Sequence, residues 1–141
     1  MVLSVEDAVM MARDGKFDEA LRIFDEDLLF TLSPVAMSYY ALCLAAMEGN
    51  YDKAVSLCLT AAEKEFYNPE IYHNLGKIFL LHKQKTLAIK AFRKGLKFDG
   101  GNHTLIDEMR RLGLRRRPVI SFLPRASFVN RILGKIASTL S

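Results

Sequence analysis

This 141-residue chain has five imidazole or thiol side chains that could ligate a metal or serve a nucleophilic site: His73, His82, His103, Cys43 and Cys58. Their spacing argues against both roles. The histidines show no metal-ligand interval with one another or with the cysteines. The cysteines lack Cys-x-x-Cys spacing and fall on predicted helices, so they read as two buried, reduced thiols. No glycine-rich phosphate loop follows a strand, no strand is predicted, and no Gly-x-Ser-x-Gly elbow is present. Asp25-Glu26-Asp27 reads as a solvated helix face. No enzyme activity, cofactor or metal is therefore expected.

Charge is the more informative chemistry. The chain carries 20 basic and 16 acidic residues, net +4, in a steep gradient. Residues 1–34 hold eight acids against three bases, and residues 69–102 hold two against seven. From Met109 to Ser141 there are eight basic residues and no acid. In this last stretch Arg115, Arg116 and Arg117 precede Pro118, and Pro118 and Pro124 bracket the apolar run that contains Phe122. The prolines forbid a continuous helix there. Beyond them Phe128, Ile132, Ile136 and Leu140 fall at four-residue intervals and make one apolar stripe, with Arg131 and Lys135 beside it. Such a tail can pack on its own domain, on a partner or a second copy of the chain, on an anionic membrane, or on nucleic acid. The last is disfavoured, because the remainder of the chain is net acidic and would repel the same ligand.

The elements that must position these groups are set by one interval. Ala20, Ala54 and Ala88 lie 34 residues apart, each followed four residues later by Phe24, Cys58 or Phe92. Gly15 and Gly49 precede the first two by five residues, with Phe17 and Tyr51 two places on. A 34-residue period is that of a helix–turn–helix unit stacked into a solenoid. The third unit reads Tyr72-x2-Leu75-Gly76-x2-Phe79 and then Ala88-x3-Phe92, and so resembles the tetratricopeptide repeat. The register departs from that pattern at Asp27, Leu42, Cys58, Lys83 and Lys85.

The resemblance implies an all-α fold: a right-handed α-solenoid of three helix–turn–helix repeats (residues 1–34, 35–68 and 69–102), a capping helix at 103–112, and the basic amphipathic tail at 113–141. Small residues at Ala8 and Gly76 would let paired helices approach closely. Local signals agree. Ser33-Pro34 and Asn68-Pro69 each set a cap before a proline at the first helical position. Gly15 and Glu48-Gly49-Asn50 mark turns, and Thr104-x-x-Asp107 offers a capping box for the helix carrying Leu105, Met109 and Leu112.

In this family the first helix of each repeat lines the concave face. By register the exposed side chains would be Val5 and Val9, then Tyr39, Tyr40, Cys43 and Met47, then His73, Asn74 and Lys77. Some members grip a peptide carboxylate with Lys, Arg and Asn at such positions. Here only Asn74 and Lys77 correspond, so an apolar groove edged by tyrosine, suited to an amphipathic helix or extended apolar peptide, is expected instead. The tail itself is a second candidate occupant.

The function implied is a non-enzymatic interaction module or adaptor with a protein or peptide partner, regulated by its tail and able to self-associate through it. The alternative is a peripheral membrane protein anchored by Arg115, Arg116, Arg117, Phe122, Phe128, Ile132 and Ile136. No apolar run is long enough to span a bilayer; the nearest, Val35 to Met47, is too short. Glu6 and Asp7 stand where a signal peptide would be basic, so a cytoplasmic setting is expected.

Overall fold

The computed structural model describes residues 3–24 and 31–113. They form α1 (Val5–Arg13), α2 (Phe17–Ile23), α3 (Pro34–Glu48), α4 (Tyr51–Lys64), α5 (Pro69–Leu81), α6 (Lys85–Phe98) and α7 (His103–Arg111), with no strand among them. Asp27 and the whole tail stretch that carries Arg115, Arg116, Arg117, Phe122, Phe128, Ile132 and Ile136 lie outside the described residues.

Helix starts follow the capping chemistry. Ser4 and Asp7 form a reciprocal capping box on α1. The Ser33 hydroxyl accepts from the Ala36 amide and the Asn68 side chain from the Glu70 amide, each with proline at the first helical position. The last helix differs from the sequence expectation. Its cap is Asn102, whose Oδ1 accepts from the Leu105 amide at 3.0 Å, and Thr104 lies inside the helix. Asn102 follows the Gly100-Gly101 turn directly and reaches the first free amides before Thr104 can.

The helices pair as antiparallel hairpins, α1 with α2, α3 with α4 and α5 with α6. The first helices also pack side by side, α1 on α3 and α3 on α5, and α7 closes the end against α6. This is the packing of a helical solenoid of the tetratricopeptide kind. Helix α3 has hairpin neighbours on both sides, so nearly its whole circumference is apolar and ten of its residues are buried. The turn residues Gly15, Gly49 and Lys83, spaced 34 apart, all adopt positive φ (80°, 66° and 58°). Lysine therefore holds a conformation that the two equivalent turns give to glycine.

Close approach within the hairpins rests on small residues. Ala8, Ala20, Ala54 and Ala88 are fully buried. A Cβ added at Gly76 would lie 2.2 Å from Cε1 of the buried Phe92 ring, so α5 and α6 touch with no room for a methyl group. Cys58, where the other hairpins carry Phe24 and Phe92, is also fully buried and its thiol contacts the Ile71 carbonyl at 3.5 Å. Gly95 gives α7 its seat, since a Cβ there would meet Leu105 at 2.6 Å.

Gly76→Ala is expected to destabilise the fold by about 1–3 kcal/mol, read from urea unfolding. Adding Phe92→Leu should restore part of that loss, and strictly additive destabilisation would show that the ring does not limit the approach. Lys83→Gly should stabilise by about 1 kcal/mol through relief of the positive φ; an unchanged unfolding midpoint would show that the turn is unstrained.

Candidate functional site

The first helices of the hairpins share one face; two polar links tie them across it and a third joins α5 to α7. At the end of α1, Arg13 donates from Nε to Glu70 Oε2 at 2.8 Å and from Nη2 to Glu70 Oε1 at 3.0 Å, a fork on the first turn of α5. Its Nε also lies 3.3 Å from the Tyr39 hydroxyl of α3, and its guanidinium carbon sits 5.4 Å from that ring's centre. The Tyr39 hydroxyl in turn donates to Glu70. One arginine thus joins the first helices of all three hairpins. Burial pushes the Glu70 carboxyl up, but the Arg13 and Tyr39 hydrogen bonds outweigh it and hold the group below its ordinary value. Burial and the neighbouring carboxylate push the Tyr39 phenol up to about 12.

The second link is buried. Asn74 of α5 donates to the Ser38 hydroxyl of α3 at 2.9 Å, and Ser38 donates to the Val35 carbonyl at 2.7 Å. The third reaches α7: His73 Nε2 lies 3.3 Å from Glu108 Oε2, while Glu108 Oε1 accepts from Arg111 at 2.8 Å. Burial and the nearby Lys77 ammonium outweigh the pull of Glu108 and depress His73, which favours the neutral ring.

These links frame two depressions. A groove of about 480 Å³ runs over α5 towards the start of α7, lined by Arg13, Tyr39, Glu70, His73, Lys77 and Thr104, with Asn102 at its edge. A second of about 340 Å³ lies between α1 and the start of α3, lined chiefly by Val5, Glu6, Val9, Met10, Val35 and Ala36. By register, nine residues are expected at an exposed surface. The structure leaves Met47 exposed and Val5, His73 and Lys77 half-buried, but it buries Val9, Tyr39, Tyr40, Cys43 and Asn74. The cause is the crowding around α3. Helices α1, α2, α4 and α5 all pack against it, so Tyr40 meets Phe24 edge-on and Cys43 has no exposed surface. Burial pushes the Cys43 thiol up to about 12 and raises Cys58 as well, which leaves both unreactive near neutrality. Among the described residues no three His, Cys, Asp or Glu side chains converge on a metal site.

Arg13 and Glu70 were not among the expected site residues, yet they carry the face's central contact. A signal existed. Arg13 stands where the next two hairpins have Met47 and Leu81, and Glu70 stands where the preceding one has Ala36. Two opposite charges at register positions that are otherwise apolar point to each other.

Glu70 has a depressed folded-state pKa, so its stabilisation is present above the ordinary value of 4.5 and is lost as the pH falls through the lower folded value. Glu70→Gln should therefore be less stable than the parent at pH 7, by on the order of 1 kcal/mol because Arg13 is solvent-screened. The difference should shrink towards pH 3. A difference that stays constant between the two pH values in urea unfolding would refute the ionised pairing.

No family model matches the chain. It is similar to the Hsp70-Hsp90 organising protein of Plasmodium falciparum (isolate 3D7), with 33% identity over 100 residues, which cover 65% of this chain and 18% of that protein. The chain therefore spans under a fifth of the length of that curated relative. The likeness and the all-helical solenoid packing together fit a tetratricopeptide repeat protein.

Proposed function

We propose that this chain is a non-enzymatic adaptor of three tetratricopeptide-type repeats, which binds a peptide or helix of a partner protein along the face of α1, α3 and α5. The observation that carries the reading is the open groove over α5. There Lys77, with no acidic partner among the described residues, stands beside His73, whose neutral form burial favours. Exposed Met47 and half-buried Val5 supply apolar contact on the same set of helices. Arg13 is already engaged by Glu70, and Asn74 is buried against Ser38, so neither is free to grip a terminal carboxylate. The partner segment that suits this face is amphipathic, with apolar side chains towards α1 and α3 and an acidic residue opposite Lys77. The name of the similar protein says that it organises Hsp70 and Hsp90, which makes chaperones of those two classes the first partners to test.

Immobilised Hsp70- and Hsp90-type chaperones and a panel of acidic amphipathic peptides provide that test. Lys77→Glu and Met47→Asp should each weaken binding at least about tenfold, roughly 1.4 kcal/mol, without shifting the melting temperature. Lys97→Glu on α6 should leave binding unchanged. Parent-like affinity of both groove variants for every binder found would overturn the assignment.

A further inference from the structure

The groove between α1 and the start of α3 has apolar walls, one acid, Glu6, in its lining and no described segment over it. Val5, Val9, Val35 and Ala36 form its walls, and Met10 stands at its edge with 60% of its surface exposed. Leu3, just before α1, is 46% exposed as well. Glu6 lines the groove without a cation partner among the described residues. The single cation in the lining, Arg13, is neutralised by Glu70. A ligand that is apolar along one stripe and basic beside it suits this lining.

One segment of the chain has that pattern. Residues 127–140 carry Phe128, Ile132, Ile136 and Leu140 on a single helical stripe, with Arg131 and Lys135 flanking it and no acid. Residues 114–141 as a whole hold six basic residues and no acid, opposite in charge to residues 1–34 with their eight acids and three bases. The length also suffices. Helices packed about 10 Å apart put α7 roughly 30 Å from α1, by way of α5 and α3. The 13 residues from 114 to 126 can span up to about 45 Å. A helix of 14 residues containing Gly134 is marginal in water and gains stability from a docking surface.

We infer that residues 127–140 of the same chain dock as an amphipathic helix in the α1–α3 groove, with Phe128, Ile132 and Ile136 against Val5, Val9 and Met10, and Arg131 and Lys135 towards Glu6 and the acidic first hairpin. This deepens the adaptor reading, on which its regulatory meaning rests: the tail covers the first-hairpin end of the partner face, and a partner must displace it to use the whole face.

Disulfide trapping in the full-length chain tests the docking with no partner present. Met10→Cys is combined in turn with Phe128→Cys, Ile132→Cys, Ile136→Cys and, off the stripe, Asn130→Cys. The native Cys43 and Cys58 are buried with raised pKa values and do not compete. The expected result is an intrachain disulfide that forms at least about tenfold faster from a stripe position than from Asn130→Cys, with the advantage lost when Glu6→Lys is added or salt is raised. Equal rates from all four positions would overturn the docking, and disulfide-linked dimers would overturn it in favour of a second copy. Because the assay contains no partner, its failure leaves the groove over α5 untouched, and a failed partner screen leaves the trapping result intact.

Discussion

Everything in this fold depends on how closely paired helices can approach. At the α5–α6 crossing the backbone of Gly76 rests against the Phe92 ring, and a single methyl group would collide with it. That contact sets the spacing of the third hairpin, and the buried alanines Ala8, Ala20, Ala54 and Ala88 meet the same demand elsewhere. Once the hairpins are tight, each can lay its first helix beside the next, and the shared face exists. A solenoid has no central core to fall back on: each unit is stable only against its neighbours. The terminal unit is therefore closed by α7, where Leu105 fits over Gly95.

What the sequence made legible was the part of this packing that recurs. Residue size at Ala20, Ala54, Ala88 and Gly76 is a local requirement repeated at a fixed interval, so it shows in one chain. The turn residues Gly15 and Gly49 show in the same way, and the departure at Lys83 keeps their backbone conformation. The depth of burial did not show. Register places Tyr39, Tyr40, Cys43 and Asn74 on the shared face, but whether a side chain there meets water depends on how many helices crowd it, and α3 is surrounded. Helix α7 starts at the expected residue, but its cap is Asn102 rather than Thr104, because two polar residues compete for the same free amides and Asn102, two residues earlier, reaches them first.

The electrostatics of the face follow one rule, that a half-buried charge needs a partner nearby. Glu70 has Arg13 and Tyr39, and Glu108 has His73 and Arg111. Lys77 has none among the described residues, and so it marks where the face has electrostatic capacity to spare. The buried Asn74–Ser38 bond instead fixes the relative position of α3 and α5, where an apolar contact would allow them to slide.

The reach of Arg13 has a consequence for how the molecule melts. In a linear array each unit senses only the adjacent one, so unfolding can begin at an end and fray inwards. The fork from α1 to the first turn of α5 skips a unit and adds a second-neighbour coupling to that one-dimensional lattice. It closes a loop through the array, so the first hairpin cannot peel away without also breaking its contact with the third. Fraying from that end therefore costs one contact more than nearest-neighbour packing alone would set, on the order of 1 kcal/mol for a solvent-screened pair.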